Sequence, residues 1–261
     1  MHALILAAGR GSRLIEAMPK CLVEVGGRPL LLHQLDAVRR AGAERVTLVV
    51  GHSHEQVRAA AGGAASFVLN DRYAETNSLY SFWLAQAAVK GDLFVLNCDV
   101  LFPSDILGQL VGIGGSALAF DSGSGEKDEH MKVCVRRGRL VRMSKQLPPG
   151  SCHGENLGVL RLTEAAAQAA FAAAASLVRR GRERDWLGAA VNAIAHHHPI
   201  ACVDVAGVPW VEIDFPHDLA AARTQIWPQI ESLELLQRRS RPAGHRWSPT
   251  LAAAASEAAA G

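Results

Sequence analysis
His2-Ala-Leu-Ile-Leu-Ala-Ala-Gly-Arg-Gly-Ser-Arg-Leu14, followed closely by Met18-Pro-Lys-Cys-Leu-Val-Glu-Val-Gly-Gly27, is the stretch that decides the fold. A short apolar strand breaks into a glycine loop that carries Arg10 and Arg13. Backbone N–H groups and fixed positive charge can close there around a polyphosphate. Gly9 and Gly11 permit the tight turn and the close backbone approach. Arg13 offers a forked donor to phosphate oxygens, and Lys20 adds a point charge. The expected phosphate cradle is therefore Leu6, Ala7, Ala8, Gly9, Arg10, Gly11, Ser12 and Arg13 with Lys20, and Arg13 and Lys20 are its expected catalytic cations.

Two better-known loops of this kind do not fit. A Walker loop ends in Gly-Lys-Ser/Thr, where this chain has Gly11-Ser12-Arg13. A dinucleotide fingerprint wants a third glycine at Leu14 and an acid after the next strand, where Val49-Val50-Gly51-His52 offers none. The remaining pattern, L-x-L-A-A-G-x-G-x-R-L with a trailing P-K, resembles the signature of the nucleotidyltransferase superfamily that builds NDP-sugars and CDP-alcohols.

The 261 residues, 49% of them hydrophobic, suffice for one large α/β domain. A net charge of +2 is too mild to indicate nucleic acid or an anionic membrane as the main partner. With no signal-like leader and no apolar run long enough to span a bilayer, a cytoplasmic location is expected. The five cysteines are scattered, without a C-x-x-C pair, and read as free thiols. Cys98 is expected beside the nucleotide as an apolar thiol rather than a nucleophile.

Strand-like runs at Ala3 to Ala7, Val46 to Val50, Ser66 to Leu69 and Leu93 to Leu96 alternate with helical patterns. This grammar predicts a doubly wound, mainly parallel, Rossmann-like sheet with helices on both faces. Leu31, Leu32, Leu35 and Val38 share one helix face that Gly42 can close, and Asn77 can cap a second helix. Residues 131–144 read as a β-hairpin turning at Arg137-Gly138, expected to be an inserted acceptor flap. The expected domain runs over 1–227, with 1–115 as the nucleotide half and 116–227 as the acceptor half. A further helix and an Ala, Ser, Pro and Gly tail, expected to be flexible, occupy 228–261.

Two acids end apolar strands: Asp99 in Val95-Leu-Asn-Cys-Asp99, and Asp214 in Trp210-Val-Glu-Ile-Asp214. Ligands bind at the carboxyl edge of open α/β sheets, and paired carboxylates suit Mg²⁺, which shares its shell with phosphates and water. Asp99 and Asp214 are the expected metal ligands. The reaction this implies is attack of an acceptor phosphate or phosphonate oxygen on the α-phosphorus, with pyrophosphate leaving. An ionised phosphate needs no general base, so the absence of a Ser-His-Asp or Cys-His set is consistent.

The segment from Asn70 to Ser81 has the spacing N-x-x-Y-x-x-x-N-S-x-Y-S, set by Asn70, Tyr73, Asn77, Ser78, Tyr80 and Ser81. It resembles the corresponding segment of the phosphocholine and phosphonate cytidylyltransferases. That resemblance implies Asn77 and Ser78 as nucleotide contacts and CTP as the donor. Asp128-Glu-His-Met-Lys-Val133, Ser144-Lys145 and Gly154-Glu155-Asn-Leu-Gly158 also resemble that branch. They imply Lys132 and Lys145 as catalytic, acceptor-side cations and Glu155 as an acceptor contact; Asp128 and Glu129 read more simply as an acidic turn. Tyr80, Trp83, Trp186 and Trp210 are the aromatic faces available to a cationic headgroup such as choline. Of these, Tyr80 and Trp210 are the expected acceptor contacts, although Tyr80 and Trp83, three apart on a helix, also suit core packing.

His196-His-His198 points in successive directions on a helix and lacks a matching cluster, so it reads as a surface helix end. The leading expectation is a Mg²⁺-dependent cytidylyltransferase acting on a small phosphorylated or phosphonate acceptor. Its rivals are a sugar-1-phosphate nucleotidyltransferase, a noncatalytic nucleotide-binding module, and nucleotide transfer to a pterin cofactor. A homodimer is compatible with the chain but not specified by it.

Overall fold
The structure is a computed structural model that describes residues 1–240 except 12–13, 15–17, 125–130 and 149. Ser12, Arg13, Asp128, Glu129 and the tail expected to be flexible therefore lie outside the described residues. In chain order the strands are β1 His2–Ala7, β2 Glu24–Val25, β3 Arg28–Pro29, β4 Arg45–Val50, β5 Ser66–Leu69, β6 Leu93–Asn97, β7 Val100–Leu101 and β8 Ala117–Asp121. They continue with β9 Lys132–Arg136, β10 Arg139–Ser144, β11 Gly154–Leu162, β12 Ala201–Asp204 and β13 Val211–Glu212. The helices are α1 Leu30–Arg40, α2 His54–Ala61, α3 Ser78–Leu84, α4 Asp105–Gly112, α5 Glu164–Arg179, α6 Gly188–Ile194, α7 Pro216–Ala221 and α8 Trp227–Ser240.

β1 is buried along its whole length, as an unbroken apolar run in a sheet covered on both faces should be. Its side chains alternate between two cores. Ala3, Ile5 and Ala7 join Leu31, Leu35 and Val38 of α1, Val57 of α2 and Ile106 of α4. Leu4 and Leu6 join Leu79 and Phe82 of α3, Phe171 of α5 and Val191 of α6. Each fully buried Leu or Ile contributes about 1.5–3 kcal/mol. Asn77 does cap α3, accepting from the Ser78 amide at 2.8 Å, and Gly42 with φ +89° follows the end of α1.

The main sheet has nine strands in the order β5-β4-β1-β6-β11-β8-β12-β10-β9. The four strands of the first half are parallel, as expected. The second half is mixed: β11 runs antiparallel to β6 and β8, while β12 runs parallel to β8. The expectation of a mainly parallel sheet therefore holds only up to β6. The hairpin is also no separate flap. It turns at Arg137 and Gly138, whose φ values of +52° and +69° match the sheet's twist. β10 pairs with β12, and β9 pairs with the start of β11 through Gly154 opposite Val133 and Glu155 opposite Lys132. Strands β11, β8, β12, β10 and β9 thereby close into a small ring. Exposed hairpin edges find partners there, which removes an open sheet edge.

A third core at the carboxyl end of the sheet joins Leu14, Val23, Val25, Leu30, Leu101, Ile213, Leu219 and Ile230. α7, a π-helical turn Ala222–Ile226 and α8 run on without a break through Trp227. Ile230 is buried, and Glu234 pairs with Arg40 at 2.8 Å. No helix among the described residues is long and apolar enough to cross a membrane.

Candidate active site
A cleft of about 370 Å³ opens at the carboxyl end of β1 and β6. Leu6, Ala8, Gly9, Arg10 and Gly11 form one wall, while Ala7 points into the core on the other side of the sheet. Gly11 takes φ +64° and lies against the stem of Lys20. The Pro-Lys dipeptide starts a single 3₁₀ turn, Lys20–Leu22, which aims the lysine into the cleft.

Lys20 Nζ donates to Asp99 Oδ2 at 3.2 Å and to Asp214 Oδ1. The three side chains are only 14–22% exposed. Burial opposes the ammonium charge, but Asp99 and Asp214 outweigh it and hold the lysine above its ordinary pKa. The two acids come from distant parts of the chain, and the backbone fastens them: β13 pairs antiparallel with β7, and the Ile213 amide donates to the Asp99 carbonyl at 2.8 Å. Asp218 Oδ2 then accepts from the Asp214 and Phe215 amides at 3.0 and 2.8 Å, fixing the turn into α7.

Glu212 is the third acid, and sequence reasoning missed it. One carboxylate oxygen from each of Asp99, Glu212 and Asp214 lies within 4.8 Å of the others. The available signal is its spacing of two from Asp214 on an extended segment, which places both side chains on one face. Burial first, and then the charges of Asp99 and Asp214, push its carboxyl up to about 8. Three converging carboxylates form an all-oxygen donor set that fits a hard divalent cation.

Sequence reasoning missed Gln34 as well. It is buried on α1, and its Nε2 donates to the carbonyls of Asn97 and Val100 at 2.8 Å each. These carbonyls flank Cys98 and Asp99, so one amide straps the turn that carries the acid. Cys98 lines the cleft, and the bond to Cys21, burial and Asp99 raise its thiol well above the usual range. That environment keeps it a protonated thiol.

Asn77 and Ser78 line the cleft, joined by Asn70, Tyr73 and Thr76. They also clamp the segment before α6: the Asn77 amide donates to Glu183 O, and Ser78 Oγ accepts from the Leu187 amide at 2.9 Å. Opposite stand Met131, Met143, Lys145, Asn156, Leu160 and Trp186. Lys145 Nζ sits 4.4 Å above the Trp186 ring. Lys132, Glu155, Tyr80 and Trp210 do not line this cleft. Lys132 and Glu155 are buried and face each other across β9 and β11. Tyr80 is buried against Trp83, and Trp210 Nε1 donates to Asp121 Oδ2 at 2.8 Å.

The family of the MobA-like NTP transferase domain matches residues 3–246. The CMP-5'-(3-aminopropyl)phosphonate synthase of Streptomyces rubellomurinus is 30% identical over 91% of this chain and 40% of its own length. The bifunctional IPC transferase and DIPP synthase of Aquifex aeolicus is 28% identical over 85% of this chain and 50% of its own length. The choline-phosphate cytidylyltransferase of Haemophilus influenzae is 36% identical over 41% of this chain and 47% of its own. The chain thus spans half or less of the length of these curated relatives. Among solved structures, the inositol-1-phosphate CTP transferase from T. maritima superposes with a TM-score of 0.71 at 23% identity, covering 89% of this chain and 96% of the other. The CTP:phosphocholine cytidylyltransferase from Streptococcus pneumoniae gives 0.66 at 21%, covering 89% and 98%. These two likenesses are of fold.

Proposed function
The chain belongs to the MobA-like NTP transferase domain family, and from that premise we propose that it transfers CMP from CTP to a small phosphorylated or phosphonate acceptor, releasing pyrophosphate. The observation that carries this reading is the convergence of Lys20 with Asp99, Glu212 and Asp214 at the mouth of the glycine-loop cleft. CTP is preferred as donor because the Asn70 to Ser81 segment resembles the cytidylyltransferase branch, and because two of the relatives described above are named for a CMP-phosphonate and for cytidylyl transfer.

The glycine-loop amides receive the triphosphate, whose negative charge they meet without a Cβ in the way. Lys20 supplies a fixed positive charge beside the α-phosphoryl group, where charge develops as the acceptor oxygen enters and pyrophosphate leaves. Asp99, Glu212 and Asp214 would hold Mg²⁺. Such an ion would supply neutralisation of the phosphate charge. Lys145 stands on the opposite wall, over the Trp186 ring. The attacking oxygen is already ionised, so no side chain has to remove a proton.

A matrix of the four common NTPs against phosphate and phosphonate acceptors, read by pyrophosphate release with and without a chelator, tests this. CTP-dependent, chelator-sensitive turnover is expected. Strict use of UTP or dTTP with hexose 1-phosphates would replace the reading with a sugar nucleotidyltransferase.

A further inference from the structure
Each aromatic ring that lines the cleft already carries a cation of the chain's own. Lys145 Nζ lies 4.4 Å from the centre of the Trp186 ring, and the Arg10 guanidinium lies 5.6 Å from that of Tyr73. The aromatic candidates outside the cleft wall are committed as well. Arg72 covers Tyr80 at 5.1 Å, Trp83 packs on Tyr80 with ring centres 5.3 Å apart, and Trp210 is tied to Asp121. Among the described residues no carboxylate pairs with Lys145.

A quaternary ammonium is recognised by open aromatic faces, because it has no N–H to donate and relies on ring quadrupoles. Here each lining ring already has a cation of the chain over one face, and the cation on Trp186 repels a second one. The same half of the cleft presents Leu118, Met131, Met143, Leu160 and Val191, which read a ligand by shape and apolar contact. We infer that the acceptor body is aliphatic or hydroxylated and lacks a quaternary ammonium, with the Lys145–Trp186 pair selecting against one. This rests on the proposed transfer from CTP and narrows its acceptor class.

The test compares phosphocholine with its neutral isostere, in which carbon replaces the quaternary nitrogen. Affinity is read by calorimetry on the full chain with Mg²⁺ and CTP's non-transferable analogue, and turnover separately by pyrophosphate release from CTP. The isostere should bind about tenfold more tightly, and Lys145→Met, which frees the Trp186 face, should abolish that preference. In Trp186→Ala the affinity for phosphocholine should fall no more than that for the isostere. Tighter binding of phosphocholine, a preference that survives Lys145→Met, or a selective loss of phosphocholine in Trp186→Ala would each overturn the inference. Absence of CTP turnover with every acceptor would overturn the transfer reading instead, because the binding preference is measured without it.

Discussion
Gly11 and Lys20 interlock: a Cβ on Gly11 would stand 2.7 Å from Cγ of the lysine, and the glycine's φ is +64°. The phosphate loop and its cation therefore share one volume, and only a residue without a side chain lets both occupy it. Gly11→Ala should cost about 1–2 kcal/mol in backbone strain and displace the ammonium from the acid pair. A misplacement of about 1 Å at such a group should lower kcat/KM by about a hundredfold. Urea unfolding and steady-state pyrophosphate release separate the two effects.

The three carboxylates should act as one site. Asp99→Asn, Glu212→Gln and Asp214→Asn are each expected to weaken Mn²⁺ binding by at least about tenfold, a scale set by the loss of an oxygen ligand or its support. Calorimetric titration measures this directly. If Glu212→Gln bound Mn²⁺ as tightly as the parent chain, Glu212 would be removed from the ligand set.

Gln34 holds the turn of Asp99 without touching the cleft, so its replacement should show in metal binding. Gln34→Leu strips the buried Val100 carbonyl and the part-buried Asn97 carbonyl of this donor, a cost of about 1–3 kcal/mol for the buried one. Metal affinity should fall about ten- to a hundredfold while the KM for CTP changes much less. A loss of stability with unchanged Mn²⁺ affinity would show that the strap serves folding alone.

His2 links stability to pH. It is buried, its Nε2 contacts Thr47 Oγ1 at 2.8 Å, and burial together with Arg45 lowers its pKa to about 4. An unfolded histidine takes up a proton near pH ~6.5, whereas the folded one resists it. The stabilisation is therefore complete above that value and is lost as pH falls from about 6.5 toward 4. Thermal melts should show a decline over this window that is smaller in His2→Gln.

Much of the nucleotide half was legible in the sequence because its determinants are local. An apolar run makes β1, Gly11 at φ +64° makes the turn, Asn77 makes the cap, and an acid after β6 marks the sheet's carboxyl edge. Each follows from backbone sterics or hydrogen bonding within a few residues. The hairpin at Arg137-Gly138 was legible for the same reason, but its place in a closed ring was not. Closure depends on β9 meeting β11 and β10 meeting β12, pairings that no local pattern encodes.

The sequence by itself determined that a glycine loop, a lysine and strand-ending acids would face one crevice, because strand direction carries them all to the same edge of the sheet. Tertiary structure alone decided which groups meet. The β7–β13 pairing recruited Glu212 to the acids, Gln34 reached across from α1, Tyr80 was packed against Trp83, and Trp210 was tied to Asp121. It also set Lys145 over Trp186, turning an available aromatic face into an occupied one. Such contacts join residues tens to hundreds of positions apart, and their selection rests on packing and burial, which act only once the chain has closed on itself.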